Sequence, residues 1–381
     1  MKFQVNRDVF SEAVSFAVKL LPQRTTLPIL SGVLIEAASD GLVLSSFDYE
    51  VSARTEIGAQ VEEPGRVLVS GRLLAEIASR LPNAPVSFAT EDGRITVSCG
   101  PSHFTLLSMP VEEYPTLPAV SADAGLLQAE DFSAAIAQVA VAASRDDVTP
   151  VITGVQLEVS EKSLSLVATD RYRVAVREIA WDTGTSGVST ATALVPARTL
   201  IEIGKTFGHS GTISVAITST DDRELIAFSA EKKTVTSLLI KGNFPPVKRL
   251  FPETVDNYAV MNTAELIEAV RRVSLVLERE AALRFTFSIE GLTLEAIGSE
   301  QAQASESIDA FLTGSDTVVS LKPQFLLDGL SSVHSEFVRI SFTKTENPNK
   351  PGPVLITSQS SKDQPGADNY RYLLQPNLLL R

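Results

Sequence analysis

The chain has 381 residues, 44% apolar and 21% charged, with 21 Gly and 20 Pro spread along it; this excludes a disordered or fibrous chain and leaves room for two or three domains. One cysteine, Cys99, excludes an internal disulfide scaffold, three scattered histidines (His103, His209, His334) exclude a His-built zinc site, and no apolar run approaches the roughly 18 residues of a membrane span. The start MKFQVNRDVF lacks the apolar core of an export signal, so the cytoplasm is expected, and a net charge of −13 argues at first sight against a nucleic-acid partner.

Taken in order, the first predicted helix carries Val9, Phe10, Ala13, Val14, Ala17, Leu20 and Leu21 on one i, i+3, i+4 stripe, with Asp8 in its first turn. Leu27-Pro28-Ile29-Leu30-Ser31-Gly32-Val33 follows, then an alternating strand at Leu42-Val43-Leu44. A β-rich run then leads into a short helix at Val67-Leu68-Val69-Ser70-Gly71-Arg72-Leu73-Leu74, and the stretch closes with Glu113-Tyr114-Pro115.

The same order recurs twice. Phe132, Ile136, Val139 and Ala143 predict a second stripe behind Glu130 and Asp131. It is followed by Thr149-Pro150-Val151-Ile152-Thr153-Gly154-Val155, a strand at Leu164-Ser165-Leu166-Val167, a helix entry at Ala193-Leu194-Val195-Pro196-Ala197-Arg198-Thr199-Leu200, and Asn243-Phe244-Pro245. Leu266, Val270, Val273 and Leu277 repeat the stripe behind Glu265, with Asn262 as N-cap, before Leu292-Thr293-Leu294 and Val319-Ser320-Leu321-Lys322-Pro323-Gln324-Phe325-Leu326. The three helix entries stand 126 and 126 residues apart. A repeat this long is a complete domain, unlike the roughly 20–50-residue turn of a solenoid. Period-2 strands with one apolar face predict antiparallel sheets covered by two helices per repeat. The reading is therefore α+β, in three tandem domains at 1–122, 123–254 and 255–381, with Pro-rich joints near Pro115–Asp123 and Phe251–Asn257.

Catalytic signatures fail one by one. Gly204-Lys205-Thr206 resembles the end of a phosphate loop, but Thr199 stands where the first glycine is needed and Thr199–Phe207 reads as helix. Asp146-Asp147 and Asp221-Asp222 read as solvated turn acids, and Cys99 in Ile95-Thr96-Val97-Ser98-Cys99 as a buried structural thiol. No catalytic residue, metal site or cofactor is expected. The charge is unevenly placed, however. Over 7–25, 72–80, 129–145, 198–206, 263–279 and 322–334 the predicted helices hold twelve Lys and Arg against ten Asp and Glu, inside a chain of net −13. If the helices line one concave surface, that surface is weakly positive within an acidic shell, and could hold a polyanion by its backbone without reading sequence.

Several segments carry a resemblance along nearly the whole chain: Met1-Lys2-Phe3, Thr26-Leu27-Pro28-Ile29-Leu30, Ala168-Thr169-Asp170-Arg171-Tyr172-Arg173-Val174-Ala175-Val176, Gly242-Asn243-Phe244-Pro245, Pro323-Gln324-Phe325-Leu326-Leu327-Asp328 and Tyr372-Leu373-Leu374-Gln375-Pro376. With the threefold repeat, the chain resembles the bacterial β sliding clamp family, the processivity subunit of DNA polymerase III, and Arg-Tyr-Arg after Thr-Asp is similar to its actinobacterial members. The resemblance implies a head-to-tail homodimer ring around duplex DNA, contacted without sequence preference through Arg24, Arg72, Arg198 and Lys205. It implies ring closure through an edge strand with Phe104 and Leu106 facing a helix with Leu275 and Val276. It also implies a groove for short Gln-x-x-Leu-Phe-like peptides of the clamp loader and polymerases. The groove residues are Ile152, Thr169, Arg171, Tyr172, Arg173, Val174, Pro245, Arg249, Leu250, Phe325, Leu373, Leu374, Gln375 and Pro376.

The chain departs from the family at this groove. The family's tail usually reads Met-Pro-x-Arg-Leu, whereas here it is Gln375-Pro376-Asn377-Leu378, with Lys322 for a frequent Asn and Phe325 for Tyr. An amide at the pocket must find a hydrogen bond or lose roughly 1–3 kcal/mol on burial. Two alternatives follow: a specialised paralogue giving self-resistance to a groove-binding antibiotic, and a scaffold that binds peptides but encircles nothing.

Overall fold

The computed structural model describes all residues except 22–24, 26, 120–124, 184–189, 220–222, 279, 297–301, 345–350, 367–368 and 379–381. The expected boundary at 122/123 lies outside the described residues, as does Arg24. Six α-helices are described: α1 (Arg7–Lys19), α2 (Gly71–Ala78), α3 (Ala129–Ala140), α4 (Ala197–Phe207), α5 (Thr263–Val273) and α6 (Pro323–Ser331). The strands pair antiparallel throughout, giving the α+β class and two helices per repeat that the periodicity predicts. By contacts the chain divides into two compact units, and the division cuts through the second repeat: Met1–Ser133, Asp182–Ser189 and Ile201–Leu239 form one unit, and Ala134–Trp181, Thr190–Leu200 and Ile240–Arg381 the other.

In the first unit, α1 starts at Asn6, whose side-chain oxygen accepts the N–H groups of Asp8 and Val9. It buries Phe10, Ala13, Val14, Phe16 and Ala17, and Ser46 donates its hydroxyl to the Ala17 carbonyl (2.6 Å), one of the acceptors a helix end leaves open. A five-stranded sheet runs in the order Gln60–Glu63, Lys2–Val5, Val86–Glu91, Arg94–Cys99, Ser102–Leu107. An eight-stranded sheet runs Gly125–Gln128, Thr212–Ser219, Glu224–Ala230, Lys233–Leu238, Val51–Ile57, Gly41–Phe47, Gly32–Ala38, Gly65–Ser70. Phe3 and Phe88, stacked at 4.8 Å, join Val33, Ile35, Leu42 and Leu44 of the second sheet and Leu74 and Ile77 of α2 in one core. Each fully buried side chain of this size contributes about 2 kcal/mol of transfer free energy. The end of the first repeat is fastened to the eight-stranded sheet: Met109 N–H donates to Leu68 C=O (2.8 Å), and the Tyr114 hydroxyl accepts Phe47 N–H (2.7 Å). Burial pushes the Tyr114 phenol up to about 12, against the opposing pull of the Phe47 hydrogen bond.

In the second unit, one sheet runs Ala191–Pro196, Gly154–Val159, Ser163–Thr169, Arg173–Ala180, Arg371–Leu374, Val354–Ser361, Phe337–Phe342, Tyr258–Asn262, Phe311–Thr313, with Gln364–Pro365 paired to Val354–Ser361. A four-stranded sheet runs Ala304–Ile308, Gly291–Ala296, Leu283–Ser288, Thr317–Leu321. Asn262 caps α5 as expected, its side chain accepting Glu265 N–H (3.0 Å). α6 sits on Tyr372 at Gly329, where a Cβ would lie 2.7 Å from the phenol ring, so only glycine lets helix and strand approach this closely. Phe287 and Phe342, at 4.8 Å, fill the space between the two sheets.

Candidate functional site

The expected docking residues lie in the second unit, around the turn between Ser163–Thr169 and Arg173–Ala180. Asp170 builds this turn: one carboxylate oxygen accepts the N–H groups of Tyr172 (3.1 Å) and Arg173 (3.2 Å). The Thr169 hydroxyl accepts Arg171 N–H (3.2 Å) and donates to Arg173 C=O (2.7 Å). The geometry forces Arg171 into the left-handed region, φ 80°, which costs a non-glycine residue about 1–2 kcal/mol. Its guanidinium reaches the Thr149 hydroxyl.

Arg173 is the hub beneath. It is 7% exposed and pairs through Nε with Asp170 (2.8 Å) and through a terminal nitrogen with Asp328 of α6 (2.6 Å) and the Tyr372 hydroxyl (3.1 Å). Tyr372 in turn donates to the Phe325 carbonyl (2.7 Å). Burial alone would lower the arginine's pKa, but Tyr372, Asp328 and Asp170 more than offset it, so the guanidinium is held charged. Burial raises the Tyr372 phenol above its ordinary range, with Arg173 pulling the other way. The Phe325 ring lies 4.5 Å from the Arg173 guanidinium, 5.4 Å from the Lys322 ammonium and 6.0 Å from the Tyr172 ring, so cations and an aromatic fix its position.

These residues surround a cavity of about 450 Å³. Of the expected groove residues, Ile152, Arg171, Tyr172, Arg173 and Phe325 line it. Val174 and Leu373 do not. Alternation along the strand puts Arg173 and Val174 on opposite faces, and Val174, Leu373, Val167 and Val176 pack instead against Phe244, Val247 and Phe251. Pro245, Arg249 and Leu250 belong to the segment crossing that second face, with Leu250 54% exposed. Thr169, Leu374 and Pro376 are buried and do not line the cavity. Gln375 donates its backbone N–H to Tyr172 C=O (2.9 Å) and its side-chain amide to Pro351 C=O (3.2 Å), so the amide that replaces the family's thioether already has a partner. Sequence reasoning missed Ser144, Arg145, Asp146, Val148 and Thr149, the loop after α3, and Asp170, Gln324 and Asp328. The spacing of Gln324 and Asp328, one helical turn apart and hydrogen-bonded at 2.7 Å, could have found those two.

Of the expected nucleic-acid residues, Arg72, Arg198 and Lys205 are helix-borne, and Arg24 lies outside the described residues. Arg72 (α2) and Arg198 (α4) are exposed and make no ion pair among the described residues. Lys205 (α4) is exposed but paired with Glu202 (2.8 Å). Lys19, one of the predicted helix cations, reaches Thr206 beside it (3.0 Å). The expected interface residues lie on a sheet edge and just past a helix end. Ser102–Leu107 is indeed a sheet edge, but its alternation turns Leu106 (8% exposed) into the core and leaves Phe104 half-buried, presenting His103, Thr105 and Leu107 (75%) instead. Leu275 is 83% exposed and Val276 half-buried, on a 3-10 turn past the end of α5 rather than on the helix.

Family profiles described as the DNA polymerase III beta subunit N-terminal, central and C-terminal domains match residues 1–118, 126–246 and 248–363. The chain is 45% identical over 377 residues to the beta sliding clamp of Streptomyces coelicolor and 38% identical over 377 residues to the beta sliding clamp homolog GriR of Streptomyces muensis, with 99% of each chain covered in both cases. The crystal structure of the Bacillus subtilis DNA polymerase sliding clamp superposes with a TM-score of 0.90 at 26% identity, covering 100% of both chains.

Proposed function

The chain belongs to the DNA polymerase III beta subunit family, and from that premise we propose that it is a sliding clamp: a head-to-tail homodimer ring of six repeats that encircles duplex DNA and tethers polymerases to it. The observation that carries this reading is one α+β domain repeated three times along a chain that clamp relatives match over 99% of its length. Confinement does the work. A closed ring cannot leave duplex DNA sideways, so it needs no tight grip. Affinity for a polyanion rises with each phosphate neutralised, and a small set of cations (Arg24, Arg72, Arg198 and Lys205) lets the ring slide without reading sequence. Lys205, half-neutralised by Glu202, contributes least.

Ring closure is supported by two strand edges unpaired among the described residues, Ser102–Leu107 in the first repeat and Ala304–Ile308 in the third. Each leaves a row of backbone donors and acceptors open, and pairing one edge with the partner subunit's other edge satisfies both while covering Leu107 and Leu275. Loader and polymerases dock short peptides whose apolar anchors enter beside Tyr172, Phe325 and Leu250. A few such anchors carry most of a peptide's affinity. The protein acts in the cytoplasm as a non-catalytic processivity subunit and uses no cofactor. Light scattering on the eluting particle tests the ring: about 82 kDa, twice the 40.9 kDa chain, supports it, and a stable monomer favours the scaffold reading instead.

A specialised, inhibitor-rejecting clamp is a second reading, favoured by Lys322 over the Phe325 ring and by Gln375, whose backbone N–H holds the Tyr172 carbonyl. Equal affinity of a groove-directed cyclic peptide for this chain and for a standard clamp would rule it out.

A further inference from the structure

We propose that the two copies of the chain close on a seam that uses no ion pair between subunits. The Ser102–Leu107 edge brings no charged side chain to a second copy, and the one charge on the Ala304–Ile308 edge, Glu306, is already satisfied by Arg272 of its own subunit. This rests on the ring reading above and names what holds the copies together. The lifetime of the closed ring is then insensitive to salt, although its hold on DNA is not.

Both edges alternate in side-chain chemistry, and both are close to neutral. Ser102–Leu107 reads Ser-His-Phe-Thr-Leu-Leu, without Asp, Glu, Lys or Arg. Phe104 and Leu106 continue the core of the first repeat on its inner side, and His103, Thr105 and Leu107 form its outer side. Ala304, Glu306 and Ile308 are half-buried on the α5 side of the other edge, and Ser305 and Ser307 are exposed on its outer side. Charges on the strands behind lie at the margin or are paired. Arg94 stands across from Leu107, at the end of its edge, and Glu295, opposite Ser305, pairs with Arg284 (4.0 Å).

Arg272 of α5 donates from Nε to one Glu306 oxygen (3.0 Å) and from a terminal nitrogen to the other (2.6 Å). This two-pronged geometry is the one in which a guanidinium and a carboxylate bind best. Its hydrogen bonds hold the Glu306 carboxyl below its ordinary range, so the acid stays ionised and paired. Arg271, the neighbouring cation, is taken by Glu268 (2.7 Å). A carboxylate matched before the subunits meet has little left to offer a cation from the partner, and covering it costs less than covering a lone charge. Two Ala304–Ile308 edges laid together would bury two such forks without Phe104, Leu106 or Leu107 between them. Unlike edges are therefore favoured, which makes the closure head-to-tail. Backbone hydrogen bonds and apolar contact remain to hold the seam, and counter-ions screen neither.

The test labels the full chain in two batches, with donor and acceptor dyes, and reads subunit exchange after mixing. Between about 0.05 M and about 0.5 M NaCl the exchange rate should change less than about twofold, whereas each inter-subunit ion pair lost to screening would speed it by up to about fivefold. Arg272→Ala should speed exchange about three- to tenfold, because Glu306 then enters the seam unpaired. Adding Glu306→Gln to that variant should bring the rate back to within about twofold of the unaltered chain, since no charge is left to cover. A rate that climbs steeply with salt in the unaltered chain, or a double variant that exchanges at least as fast as Arg272→Ala alone, overturns the neutral seam while leaving the ring in place. A chain that light scattering finds monomeric at every salt concentration removes the ring reading and the seam with it.

Discussion

Arg173 shows what a single residue can reveal and conceal. The sequence places it in a peptide-contacting motif, but the structure buries it between Asp170, three residues away, and Asp328, 155 residues away. The near partner was legible in the motif; the distant one depends on which strand α6 lies against, and no local pattern encodes that. Removing one partner of a buried pair leaves an under-compensated charge. Asp328→Ala should therefore cost about 1–3 kcal/mol, the lower end because Arg173 keeps Asp170, and Asp328→Asn should cost less. Denaturant midpoints check this, and an unchanged midpoint for Asp328→Ala would contradict the hub. The phenols give a second residue-scale test. Tyr114 and Tyr372 are both raised by burial, so their native states keep protons that the unfolded chain gives up near pH 10. The stability tied to them is complete below that pH and drains away as pH climbs towards their folded values. In an ultraviolet titration Tyr114 should ionise only near 12 and Tyr372 later than an ordinary phenol, with loss of native structure in step. Tyr114 and Tyr372 both ionising near 10 in a folded protein would contradict it.

At the scale of elements, helices were the most legible. The stripes beginning at Val9, Phe132 and Leu266 fall in α1, α3 and α5, and the three repeated helix entries become α2, α4 and α6. Their caps and apolar periods are local, so sequence exposes them directly. Strand pairing across repeats was not legible: Lys233–Leu238 with Val51–Ile57, and Arg173–Ala180 with Arg371–Leu374, join segments more than a hundred residues apart. Alternation along the strand puts Val174 and Arg173 on two faces, and the pairing with Arg371–Leu374 sets Leu373 beside Val174 on the apolar one. The groove list from sequence held residues of both sides without the division. The helices also carry three of the cations assigned to DNA, Arg72, Arg198 and Lys205. Alanine at Arg72 and Arg198 together should slow loading and flatten its salt dependence, because fewer counterions are released, while the dimer stays intact. Loss of the dimer in that variant would mean these side chains serve the subunit contact instead.

For the whole molecule, net charge was the misleading guide. A value of −13 speaks against nucleic acid only if charge is spread evenly, and the windows predicted as helix hold twelve cations against ten acids; the six helices themselves are shorter and hold seven against nine, because Arg80, Arg145 and Lys322 lie just beyond their ends. The repeat was the better guide, because its 126-residue spacing implies three copies of one domain before any residue role is known. The proposed function depends on topology rather than adhesion, and topology can be tested separately from affinity. The decisive measurement is retention on singly nicked circular DNA after loading, followed by cutting the circle once. A sliding ring should stay on the circle through gel filtration at moderate salt and run off the ends when the DNA is linearised. Equal retention on circle and line, or none on either with an active loader, would contradict the account.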